Sequence, residues 1–161
     1  MKRAELRQLL AEVLDARDAD RDVRDRLRAT VFDRLDHPAP IVVRASIDIL
    51  GHWSEFFQDE VPAPIASKIS DLTRARDAAV RAEALASLAL LRCPEGSLDR
   101  TALLAHGLED ADAGCRQEAA AALGDLEDTG ACPLLRPCLQ DEDAGTRFEV
   151  AFALASLRDP A

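Results

Sequence analysis

Apolar residues fall at Leu6, Leu9, Leu10, Val13 and Leu14, the i, i+3, i+4, i+7, i+8 spacing of one helix face. That stripe predicts a helix over roughly 2–15. Asp18 and Asp20 then offer N-caps for a second helix to about Leu35, with Val23, Leu27, Val31 and Leu35 as its apolar positions. His37-Pro38-Ala39-Pro40 breaks it, because proline disfavours α geometry in the residue before it. Helix pairs follow: 40–57 with 63–73, 77–91 with 98–108, and 112–126 with 131–140. A single helix over 143–157 comes last. The breaks between them carry turn residues, as in Val61-Pro62-Ala63-Pro64, Cys93-Pro94-Glu95-Gly96 and Asp128-Thr129-Gly130. Short connections predict antiparallel neighbours.

Within this pattern one phrase recurs. It reads Asp-x-x-x-Arg, then a small or apolar residue, then a leucine seven residues past the arginine. It stands as Asp77, Arg81, Ala84, Leu88; as Asp112, Arg116, Ala119, Leu123; and as Asp143, Arg147, Val150, Leu154. A looser copy runs from Asp36 through Arg44 to Leu50-Gly51. The arginines are 37, 35 and 31 residues apart, and periods of that size signal stacked repeats. Each aspartate stands just before its apolar run, where its side chain caps orphan backbone N–H groups, an effect of ~1 kcal/mol. Each arginine lies four residues on, within reach of the acidic loop of its own or the neighbouring layer. The predicted role of Asp77, Arg81, Asp112, Arg116, Asp143 and Arg147 is therefore structural: caps, and a ladder that sets stacking register. A row of anion-binding arginines is the functional alternative.

The strings LEDADAGCRQEAAAALGDL (108–126) and LQDEDAGTRFEVAFALASL (139–157) resemble HEAT-like repeats, in the short form described from phycobilisome-lyase-type proteins. The resemblance covers about 36–159, with 1–35 as an irregular N-terminal cap. Its spacing is shorter than the ~40–47 residues of standard HEAT units. It implies an all-α fold: a right-handed α-α superhelix, a short solenoid of antiparallel helix pairs with about nine helices. One domain spanning 1–161 and ending in a half repeat is expected.

Composition agrees with this and narrows the function. The chain is 48% hydrophobic, rich in alanine, and has no tyrosine, which favours helices over a β-sandwich. Net charge is −10: residues 1–36 balance nine basic against nine acidic side chains, and 37–161 carry eleven against twenty-one. An array that acidic repels phosphate backbones and anionic membranes, so neither nucleic acid nor membrane is the expected partner. Cys93, Cys115, Cys132 and Cys138 are scattered, with no C-x-x-C pair, and no apolar run approaches 18 residues. The expectation is a cytoplasmic protein with reduced thiols.

No catalytic, cofactor or metal apparatus is expected. Asp110-x-Asp112-x-Gly114 and Asp141-x-Asp143-x-Gly145 resemble calcium loops, but glycine is fifth rather than sixth and the twelfth residues are Ala121 and Phe152. Some HEAT-like enzymes are iron hydroxylases with paired His-Glu motifs; none of His37, His52 and His106 is followed by glutamate. No phosphate loop, G-x-S-x-G or H-E-x-x-H is present.

The expected function is a non-catalytic protein–protein interaction module, an adaptor or regulatory subunit. Its partner would bind the solenoid face or the terminal helix. On the face, Lys68, Arg100, His106, Arg136 and Gln140 would line a mildly basic groove suited to an acidic partner. Trp53, Phe56 and Phe57 form an aromatic cluster that either seals the core against the N-terminal cap or offers an exposed hot spot. Phe148 and Phe152 lie off the inward stripe of the last helix, which is thus apolar almost all round. That end would pair with a second copy in a homodimer, dock a partner, or belong to a truncated chain; the final residues folding back over Phe152 is the bland alternative. The resemblance also implies two further alternatives: a bilin-lyase-like enzyme subunit, and a HEAT-like nucleic-acid-binding protein.

Overall fold

The computed structural model describes residues 11–13, 15–16, 20–53, 57 and 59–158. Helix α1 is Arg21–Asp33, extended by a 3₁₀ turn at Arg34–Asp36. Then come α2 (Pro40–Gly51), α3 (Ala63–Leu72), α4 (Ala78–Leu90), α5 (Arg100–Gly107) and α6 (Ala113–Asp125). A four-residue α7 (Cys132–Leu135) lies between 3₁₀ turns at Thr129–Ala131 and Arg136–Gln140, and α8 (Ala144–Ser156) follows. No strand occurs among the described residues.

Helices α2, α4, α6 and α8 pack successively in that order, and the shorter α3, α5 and α7 segments attach to them. At each step the N-terminal turns meet, as Arg44 with Glu83, Ala78 with Cys115 and Gln117 with Asp143, so these four helices run parallel in one layered stack: an α solenoid. The closing leucines Leu50, Leu88, Leu123 and Leu154 are all buried in one continuous core. Val31 of α1 and Leu35 of the 3₁₀ turn after it join it, while Val23, predicted for the same stripe, is exposed. Val13 and Ala16 are buried as well; the rest of the helix expected over 2–15 lies largely outside the described residues.

Two expectations change. The helix predicted over 131–140 is short, because Pro137 has no N–H to donate and its ring crowds the preceding turn; the chain continues as a 3₁₀ turn. Asp20 precedes α1, but its side chain makes no cap hydrogen bond, and Asp18 lies outside the described residues. The entry to α2 has no aspartate either: Ala39 N–H donates to His37 Nδ1 at 3.0 Å, and Pro40 opens the helix.

Trp53 is 0% exposed, and its ring lies 4.3 Å from that of buried Phe57. The guanidiniums of Arg28 and Arg24 on α1 cover Trp53 and Phe57 at 5.7 and 5.9 Å. The pair therefore seals the core under the N-terminal region. Neither residue is a surface anchor, which corrects their candidacy for partner binding: desolvation of two large rings at i, i+4 outweighs exposure. Phe56 lies outside the described residues.

Candidate interaction surface

Each Asp-x-Asp loop divides two tasks between its carboxylates. The second aspartate caps, as Asp77 does in a loop with alanine two residues earlier: Asp77, Asp112 and Asp143 accept from the N–H of Val80 (3.1 Å), Cys115 (3.2 Å) and Thr146 (2.8 Å). The first faces the preceding layer. Asp110 receives Arg81 Nε at 2.7 Å and Nη2 at 2.8 Å, and Asp141 receives Arg116 Nε and Nη2 both at 2.8 Å. These are bidentate, charge-assisted contacts. The arginine holds both acids below the usual carboxylate range, opposed by burial, and the same contact raises each arginine.

The other edge of each arginine is tied to its own loop. Arg81 Nη1 donates to Ala75 O (3.0 Å) and Arg76 O (3.2 Å), and Arg116 Nη1 to Asp110 O (3.0 Å) and Ala111 O (3.3 Å). Position 75 is alanine where later loops carry the clasped aspartate. Arg44 of α2 stands one position later in its helix than Arg81 and Arg116 do in theirs, and it reaches Glu83 at 3.3 and 3.2 Å. The last arginine departs at its outer edge. Arg147 Nη1 donates to Asp141 O (2.8 Å) and Glu142 O (3.0 Å), and no carboxylate among the described residues meets its Nε and Nη2.

Counting from the residue before each helix, positions four, five and twelve touch the next layer. Gln117 at position five donates to Asp143 at 2.8 Å, and Gly124 at position twelve lies directly under Ala153. Positions eight and nine fall on the same helix face. On α8 this face holds Arg147, Phe148, Ala151, Phe152 and Ala155, all exposed. Phe148 is 66% and Phe152 61% exposed, with near-parallel rings 6.5 Å apart. Earlier layers carry Ala82 and Ala86, or Gln117 and Ala121, at those two positions.

The remaining candidates are spread over the molecule. Arg100 donates to Leu91 O and sits 3.8 Å from Cys93 Sγ, which ties it to the α4–α5 loop. Lys68 pairs with Asp36. His106 and Arg136 are exposed, on the last turn of α5 and on the 3₁₀ turn after α7. Of the basic groove read from sequence, Arg100 and Lys68 are thus engaged within the fold. Cys115 is buried, donates to Ala78 O at 3.3 Å and is pushed up to about 11, chiefly by burial, so it is a poor nucleophile. Among the described residues no cluster of His, Cys, Asp and Glu is placed to hold a metal, and no helix is long and apolar enough to cross a membrane.

Sequence reasoning missed one feature. Glu83, Glu118 and Glu149 each stand six residues past the cap aspartates 77, 112 and 143. Glu118 is raised by burial first and then by repulsion from Glu83 and Glu149, so the three form an acidic row across the layers. The fixed offset was the available signal.

With the geometry in hand, the comparisons agree on architecture. The HEAT-repeat family model matches residues 101–161. No curated protein sequence matches. Among solved structures, an engineered protein superposes with a TM-score of 0.61 at 16% identity, covering 91% of this chain and 70% of that one. A designed armadillo repeat protein in complex with the peptide (KR)4 superposes with a TM-score of 0.57 at 14% identity, covering 96% and 86%. The HEAT-repeat match over residues 101–161 and the two similar folds agree with the α solenoid that the layers form.

Proposed function

We propose that this protein is a non-catalytic interaction module, an adaptor or regulatory subunit, that docks a protein partner on the outward face of α8. One observation carries the reading: Phe148 and Phe152 stand exposed on the face that each earlier layer closes with its successor. Burying either ring would contribute about 1.5–3 kcal/mol, so a partner gains by covering them. Aromatic anchors of that kind dominate interface energetics. The test is tagged purification from source lysate, comparing wild type with Phe148→Ser/Phe152→Ser. A stoichiometric protein that co-purifies with wild type and is lost from the double variant supports the reading. Retention of the same protein by the variant, or a bound pigment or nucleic acid in place of protein, overturns it.

A second reading rests on the row of Glu83, Glu118 and Glu149. Arg44 already seats a guanidinium on Glu83, while no ion pair reaches Glu118 or Glu149 among the described residues. The designed armadillo repeat protein similar in fold was solved with the basic peptide (KR)4. A Lys/Arg-rich segment laid along this row would relieve its repulsion. Titration with a (KR)4 peptide checks it: binding that weakens in Glu118→Gln/Glu149→Gln supports it, and no binding at low salt removes it.

A further inference from the structure

Resting on the α8 docking reading, we infer that the partner presents a carboxylate to Arg147, from an acidic loop leading into an apolar helix. Arg81 and Arg116 are each held by one guanidinium edge on two carbonyls of their own loop. Each turns its Nε–Nη2 edge outward onto one aspartate of the next layer. Arg147 has the same inner half, on Asp141 O and Glu142 O. Its outer edge is therefore set in the geometry that takes a carboxylate twice elsewhere, with little ordering left to do. A planar two-donor edge matches a carboxylate's two oxygens.

The surroundings refine the choice. Phe148 and Phe152 flank the arginine with apolar surface, so the carboxylate arrives beside a greasy face rather than on a free acidic tail. A polyphosphate would meet exposed Glu142 and the acidic body, which disfavours it. A second copy laid antiparallel on α8 would bring exposed Arg158 of its mate toward Arg147, a like-charge pairing.

The experiment uses the full chain and one defined probe, a fluorescein-labelled peptide of the sequence 139–158. That peptide carries the acidic loop and helix that Arg116 holds in the intact protein. Saturable binding is expected by fluorescence anisotropy. Asp141→Asn in the peptide and Arg147→Gln in the protein should each weaken it roughly 10–100-fold. Combining them should cost no more than either alone. Exposed Arg147 lets the variant fold, and an unchanged thermal melt verifies that.

Binding indifferent to Asp141→Asn or Arg147→Gln overturns the carboxylate. If Phe152→Ser still abolishes that binding, the docking reading survives without it. No binding to the wild-type chain overturns the inference. A sedimenting dimer that Phe152→Ser returns to monomer and Arg147→Gln leaves intact assigns the face to a second copy, which also overturns it.

Discussion

Arg116 and Asp141 meet across the seam between α6 and α8 through two N–H···O contacts of 2.8 Å, with side chains only 9% and 12% exposed. The pair joins residues 25 apart in sequence and fixes how one layer sits on the next. Arg147, at the same repeat position, lacks this contact. The two arginines therefore respond differently to the same substitution.

Arg116→Gln leaves Asp141 shielded from water without its counter-ion. Removing one member of a buried pair costs about 2–4 kcal/mol, because the orphaned charge stays desolvated. Arg147→Gln removes only hydrogen bonds at an exposed site and should change stability by less than about 0.5 kcal/mol. Urea denaturation followed by circular dichroism reads both. Equal losses would mean that the clasp contributes nothing to the seam.

The clasped aspartates also set the acid limb of stability. Asp110 and Asp141 are held below their ordinary range in the folded state, so on acidification the unfolded chain binds protons first. Their contribution is complete above the unfolded value of ~3.9 and is lost as pH falls through the lowered folded values. Glu118 acts in the reverse sense. Raised in the folded state, it takes its proton before the unfolded chain does, so its penalty is present at neutral pH and fades on acidification. Melting curves from pH 3 to 7 should show a flatter acid limb in Asp110→Asn/Asp141→Asn. Glu118→Gln should raise the midpoint at pH 7 and lose that gain near pH 4.

Periodic features were legible in the sequence because each repeats with its physical cause. The caps at Asp77, Asp112 and Asp143 follow from side-chain geometry within one turn, and the closing leucines from helical period. Which aspartate an arginine clasps was not legible, since Asp110 and Asp112 differ only in which layer they face. The candidates Trp53 and Phe57 illustrate the same limit: their burial depends on Arg24 and Arg28, more than 20 residues earlier. That Phe148 and Phe152 lie off the inward stripe of the last helix was readable from helical period alone, while their exposure depends on what packs over that face.

Close stacking is enforced at glycine. A Cβ on Gly124 would stand 2.9 Å from Ala153 Cβ and 3.0 Å from Ala153 Cα, closer than side chains sit. Gly124→Ala gains about 1 kcal/mol of helix propensity, but α8 must shift along its backbone to make room. Such overpacking costs about 1–3 kcal/mol, so a net loss is expected. Gly51→Ala, 3.0 Å from Ser87 Cβ and farther from backbone, should be milder. Thermal midpoints ranking Gly124→Ala at or above wild type would refute close approach as the reason for glycine there.

Helix α8 has two apolar faces with opposite expected behaviour. Leu154 and Val150 are buried against α6 and the core, so Leu154→Ala should cost about 2–5 kcal/mol through lost contacts and a residual cavity. Phe148 and Phe152 face away from the array, and Phe148→Ser or Phe152→Ser should shift stability by less than about 0.5 kcal/mol. The same serine variants should lower binding of a hydrophobic dye and slow aggregation, because they remove the one pair of exposed phenylalanines among the described residues. A destabilisation of Phe152→Ser comparable to Leu154→Ala would mean that this ring is covered in solution by the protein itself, and the docking face would then belong to the fold rather than to a partner.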